Sequence, residues 1–205
     1  MSDLSSFKVT VQQGLDLPAY QGIGYANVML VISEASAARA LVAVAGADAV
    51  GFDTESKPTF KKGEVSEGPH LIQLATDTHA FLFPVRYWPD LSVVSMILES
   101  ERIIKVGFGL EADIQNLKSR FGISLSNVVD LARILPGKKA KETVGARKAT
   151  ATYLGAKLQK SKRISTSNWA AFPLSERQIL YAADDAQVAL RIYRLVQDDL
   201  NPSLI

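Results

Sequence analysis

The chain has 205 residues, 47% hydrophobic and 21% charged, with a formal net charge of +2. That length suits one domain with a substantial core, and the composition excludes the disordered, fibrous and low-complexity classes. The chain has no cysteine, hence no disulfide framework or thiolate metal site, and no apolar run nears the roughly 20 residues of a membrane span. Its first residues lack the charged start and apolar core of a secretory signal, so an intracellular, cytoplasmic protein without a membrane partner is expected.

Taken in order, residues 1–24 carry Gly14, Pro18, Gly22 and Gly24 and read as an irregular lead-in that pairs late with a sheet. The domain proper is expected over residues 25–205. Residues 25–32 read as a strand, and Ser33 offers an N-cap for an alanine-rich helix through Ala45 that ends near Gly46. The next strand, Ala49 to Glu55, is apolar until it ends in Asp53 and Glu55. Side chains two apart in a strand share a face, so these two acids point the same way. Either they mark where the strand meets water, or a divalent cation sits between them and relieves their repulsion.

A polar loop follows, with Lys57, Lys61 and Lys62, and then two short apolar strands, residues 70–76 and 79–85, separated by Asp77 and Thr78 as in a hairpin. Three strands without an intervening helix imply an antiparallel part of the sheet. His70 and His79, at the two strand starts, read as ordinary edge residues, since no partner spacing supports a histidine site. Residues 89–100 read as a helix and residues 102–108 as a buried strand. Gly107 and Gly109 bracket its exit into a helix over residues 110–120, an alternation that argues a parallel addition to the sheet. Asp113 lies near the start of that helix, where the helix dipole favours an acid in any case.

Residues 127–135 pass from strand to helix, residues 143–154 read as a helix, and residues 160–169 as a loop. From Arg133 to Arg163 there are ten basic residues and one acid, Glu142. This is either a footprint for phosphates or a solvated surface. Trp169 is either a base-stacking side chain or a core residue. The last element is a long helix, opened by a Ser175–Gln178 capping box with Leu174 and Ile179 able to staple across it. On it Tyr181 and Asp185 are four apart and share a face, whereas Asp184 is turned about 100° from Asp185. Leu180, Ala183, Val188 and Ile192 mark its expected buried side, which Asp184 borders.

The motifs GFDTE, HLIQLA, KVGFGLEADIQNL, SNW and FPLSERQILYAADDA, spread over residues 50–193, resemble the DEDD superfamily of 3′-to-5′ exonucleases in its tyrosine-bearing branch. Ribonuclease D and the Werner-type exonuclease domain are the nearest patterns. The resemblance implies a ribonuclease H-like α/β fold, a mixed sheet with helices on both faces, and a substrate that is nucleic acid with a free 3′ end. It implies that Asp53, Glu55 and Asp185 hold one metal, that Asp53 bridges to a second held with Asp113, and that Tyr181 orients the attacking water. Carboxylate oxygens suit two Mg²⁺ or Mn²⁺ ions rather than zinc. Lys138, Lys139, Lys160, Lys162, Arg163 and Trp169 are the expected nucleic-acid contacts. The helical nucleic-acid-binding domains that follow the exonuclease in ribonuclease D are not expected after Asp185.

Overall fold

The computed structural model describes residues 16–59, 63, 67–136 and 143–200. Six strands, β1 (Val28–Leu30), β2 (Ala49–Glu55), β3 (Leu71–Ala75), β4 (Ala80–Pro84), β5 (Ile104–Gly107) and β6 (Val128–Asp130), form one sheet in the order β1-β4-β3-β2-β5-β6. β2, β3 and β4 run antiparallel, with no helix between them among the described residues, and the tight β3–β4 turn is closed by Thr76 N–H donating to the His79 carbonyl at 2.8 Å. β5 and β6 are parallel to β2, as helical crossovers require.

The helices are α1 (Glu34–Ala45), α2 (Ser92–Leu98), α3 (Glu111–Phe121), α4 (Leu131–Ile134), α5 (Ala146–Leu154), α6 (Lys162–Ser165) and α7 (Glu176–Val196). Ser33 caps α1 in a capping box with Ser36, and Ser175 caps α7 in one with Gln178. Helices cover both faces of the sheet. The alternation of β2 sorts them: Val50 and Phe52 pack with α1, α2 and α3 on one face, and Ala49 packs with α5 and α7 on the other.

Gly51 shares a face with Ala49 and Asp53, and there α7 crosses β2 almost without clearance. A Cβ on Gly51 would lie 1.9 Å from the carbonyl oxygen of Ala186. α7 is therefore buried on most of its circumference, more broadly than one apolar stripe predicts, with Tyr181 and Asp185 among its buried residues and Leu180 only half-buried.

Several expectations shift in detail. The segment read as a strand from Tyr25 opens with a 3₁₀ turn, Tyr25–Asn27. α5 starts at Ala146 rather than Thr143, and the expected loop after Lys160 contains α6. The described part of the lead-in pairs Ala19 with Lys157 rather than with a sheet strand. Its Tyr20 is buried against α7, its hydroxyl donating to Gln187 Oε1 at 3.0 Å. In β5 the otherwise apolar run contains a fully buried lysine, Lys105, whose ammonium donates to the carbonyls of Ser100 and Ile103 at 2.5 and 2.7 Å. Burial pulls its pKa down to about 8. Among the described residues no helix is long and apolar enough to cross a membrane.

Because the atom met at Gly51 is backbone, no rotamer change relieves it. Gly51→Ala should destabilise the protein by about 1–3 kcal/mol, read as a lower urea midpoint in equilibrium unfolding. An unchanged midpoint would show that α7 does not rest on β2 as described.

Candidate active site

The end of β2 brings the two layers together. Asp53 and Glu55 lie on the α7 side, and α7 presents Asp185 to them from the turn next to its Ala186 contact. Carboxylate oxygens of Asp53, Glu55 and Asp185 all lie within 4.8 Å of one another. Thr54, one residue out of phase, points to the other face, where its hydroxyl donates to Asp113 Oδ1 in a short hydrogen bond. The start of α3 that carries Asp113 is in turn fixed by Asp130 at the end of β6, whose carboxylate accepts the Gly109 and Leu110 N–H groups at 2.8 and 3.1 Å. All four predicted acids therefore converge, three in one cluster and Asp113 held beside it from the opposite layer.

Such crowding is costly. Burial pushes the Asp53 carboxyl far above its ordinary pKa, and the charges of Asp185 and Asp113 add to the rise. Burial, then Asp53 and Asp185, raise Glu55 to about 9. For Asp185, burial outweighs the lowering by Lys160 and the net direction is also upward. Burial raises Asp113 despite its bond from Thr54. Tyr181 is pushed well above the usual phenol range, first by burial and then by Asp185, Glu55 and Asp53, so it remains a neutral hydroxyl at any working pH.

One cation already answers this charge. Lys160 Nζ lies 3.0 Å from Asp185 Oδ2 and 5.9 Å from the centre of the Tyr181 ring. Burial pulls its pKa down, but Asp185 and Asp53 more than reverse this and hold it protonated. From sequence Lys160 reads as a backbone-phosphate contact, since its position in a run of bases carries no sign that it reaches into the acids. Gln73 was passed over entirely. It is paired with Asp53 across the β2–β3 ladder and fully buried, with neither amide atom hydrogen-bonded.

Other expected contacts divide. Arg147, Lys148, Lys160 and Lys162 line a cavity of about 560 Å³ whose wall includes Tyr181. Arg163 is exposed on α6. Lys138 and Lys139 lie outside the described residues, as do Lys61, Lys62 and Lys141. Trp169 does not offer a face for stacking: it is 2% exposed, its indole N–H donates to the Ser165 carbonyl, and its ring packs 6.0 Å from that of Tyr181. Proximity to the basic segment suggested a surface role, but the ring fills the layer between β3, β4 and α7. His70 is buried rather than an open edge residue, its Nδ1 accepting the Lys57 N–H at 3.1 Å.

Asp184 and Asp185 separate as the helical geometry requires. Asp185 joins the cluster, whereas Asp184 faces the lead-in, where a Cβ on Gly22 would lie 1.7 Å from its Oδ1. Burial, then the Asp185 charge, raises Asp184 to about 7.

Residues 29–201 match the profile of a family described as 3'-5' exonuclease. The chain belongs to the 3′-5′ exonuclease family. The resemblance read from its spaced motifs holds, and the exonuclease fold is the expected ribonuclease H-like mixed sheet. Mouse bifunctional 3'-5' exonuclease/ATP-dependent helicase WRN is 36% identical over 152 residues, which are 72% of this chain and 11% of that protein. Among solved structures, the Nibbler EXO domain of Aedes aegypti matches with a TM-score of 0.72 at 24% identity, over 88% of this chain and 93% of that one. Escherichia coli RNase D, described as an exoribonuclease involved in structured RNA processing, matches with a TM-score of 0.71 at 25% identity, over 84% of this chain and 45% of that one.

The raised carboxyls of this cluster and of Asp184 make the protein's stability depend on pH. A carboxyl with a higher pKa folded than unfolded holds more protons in the folded state between the two values, so stability falls as pH rises through that interval. For Glu55 the interval runs from 4.5 to about 9, and for Asp184 from 3.8 to about 7. In chelator the melting temperature should therefore fall steadily from about pH 5 to about pH 9, and Asp184→Asn should flatten the part below about pH 7. A metal-free melting temperature that rises over this range would contradict the electrostatics.

Proposed function

We propose that the chain is a metal-dependent 3′-to-5′ exonuclease that cuts the last phosphodiester of a nucleic acid with a free 3′ end and releases a nucleoside monophosphate. The observation that carries this reading is the three-carboxylate cluster with Tyr181 and Asp113 beside it, at the C-terminal edge of β2. Its fit to divalent cations rests on its own chemistry. The donors are all carboxylate oxygens, and their ionisation is opposed by burial and mutual repulsion. Hard ions such as Mg²⁺ or Mn²⁺ suit such a set. Asp53, Glu55 and Asp185 would hold one, and Asp53 with Asp113 a second. Bound there, two such ions supply charge stabilisation for the attacking and departing oxygens of an in-line displacement.

The chain's own groups supply the rest. A water oxygen joins phosphorus, the bond from phosphorus to the 3′ oxygen breaks, and that oxygen leaves with a proton. Tyr181 cannot take the water's proton, since its pKa is far above neutral; as a neutral hydroxyl it orients the water. Lys160, 3.0 Å from Asp185, orients that carboxylate and offers positive charge toward the phosphoryl oxygens. The cavity lined by Arg147, Lys148, Lys160 and Lys162 supports passage of the phosphate backbone next to Tyr181.

Purified protein should shorten a 5′-labelled single strand only with Mg²⁺ or Mn²⁺, in a one-nucleotide ladder, and matched ribo- and deoxyribo-strands would identify the preferred sugar. Asp53→Ala and Asp185→Asn should each lower turnover by several orders of magnitude in a folded protein, while Tyr181→Phe should slow it about a hundredfold through misplaced water. Asp184→Asn should cut at nearly the wild-type rate. Full activity in excess chelator would refute the reading, and retardation of the strand without shortening would assign a binding module instead. Neutralising Arg147, Lys162 and Arg163 together should raise KM and lessen the salt dependence of binding, with kcat little changed.

A further inference from the structure

We propose that Tyr87 and Phe172 form a stacking platform for an unpaired base of the nucleic-acid strand, upstream of the bond that is cut. This rests on the exonuclease reading and adds to it a single-strand subsite that no predicted contact covers. The two rings pack with centroids 4.3 Å apart at 32°, and Tyr87 is nevertheless 46% exposed. Among the described residues no hydrogen bond engages its hydroxyl. Buried aromatic pairs serve packing; a large ring left half open is the kind of face on which bases stack.

Position ties the pair to the carboxylates. At the end of the sheet the Glu55 carbonyl accepts the His70 N–H at 2.8 Å, and the His70 carbonyl accepts the Val85 N–H at 3.0 Å. Two strand spacings, about 10 Å, thus separate Glu55 from Val85. Tyr87 follows two residues later, its own N–H turned back onto the Pro84 carbonyl at 2.9 Å. Phe172 comes from the approach to α7, between Trp169 and Leu174, which share one hydrophobic cluster with Tyr181. Phe172 therefore leads into α7, which carries Tyr181 and Asp185, and Tyr87 follows β4, two strands from Glu55.

Charge indicates the occupant. Burial lowers the pKa of His70, Glu67 opposes it, and Arg86, Lys57 and Arg120 lower it further, so three cations and one acid face this corner of the sheet. Lys57 and Arg86 are exposed and form no ion pair with a described residue. Cations interleaved with an open aromatic pair match a strand that offers alternating phosphates and bases, and a paired base has no free face to give.

The test measures binding in chelator, so that no cutting occurs, using 5′-labelled single strands of ribose and deoxyribose type and a blunt duplex of the same sequence. Tyr87→Ala should weaken single-strand binding about tenfold, Tyr87→Trp should restore it, and duplex binding should not change. A strand scanned with one abasic position should show, for the wild type, a loss confined to one or two positions, and Tyr87→Ala should erase that dependence. Melting temperatures of the variants separate binding from folding. Wild-type affinity in Tyr87→Ala, or an equal loss for strand and duplex, overturns the platform while leaving the exonuclease reading intact. A wild-type protein that neither binds nor shortens any strand overturns both.

Discussion

The close approach of α7 to β2 is the constraint on which the rest of the structure depends. At Gly51 the helix backbone lies where a side chain would otherwise stand. Two residues further along the strand, on the same face, Asp53 is therefore near enough to α7 to meet Asp185, one residue before the point of contact. A larger residue at Gly51 would move the helix outward and open the cluster, whatever the acids themselves were. Packing in the core thus sets a distance between carboxylates that electrostatics alone would widen.

That distance creates the second feature, a site whose charge is unresolved by protein groups. Burial and mutual repulsion oppose ionisation of Asp53, Glu55 and Asp185 together, and Lys160 is the cation seen at the cluster. Such crowded, buried carboxylates lower local stability, the pattern expected where function and folding conflict. Tyr181 shares the same field, which keeps its hydroxyl neutral.

The site also joins the two layers of the domain. Alternation along β2 sends Asp53 and Glu55 toward α7 and Thr54 toward α3, so adjacent residues of one strand engage acids from opposite faces. Asp130 secures the start of α3 through two backbone N–H groups, and it stands at the end of the neighbouring parallel strand. The C-terminal edge of the parallel part of the sheet is where these elements meet, as ligand sites in α/β sheets commonly are.

Much of this was legible in the residues. Local rules were sufficient for β2, the hairpin of β3 and β4, and the capped helices α1 and α7, because each depends on periodicity and on partners within four positions. The spaced motifs carried the family and named acids that the fold brings together at the end of β2, and helical geometry separated Asp184 from Asp185. Other features had no local signal. Lys160 belongs by composition to a run of bases, and only the path of the chain before α6 turns its ammonium into the acids. Trp169, read beside that run, fills a layer whose other members come from β3, β4 and α7. Tyr87 and Phe172 lie 85 positions apart and become a pair only when the end of β4 meets the approach to α7. Sequence determines which residue types are available and how each element repeats; which of them share a cavity depends on packing between distant segments, and that only the tertiary structure decides.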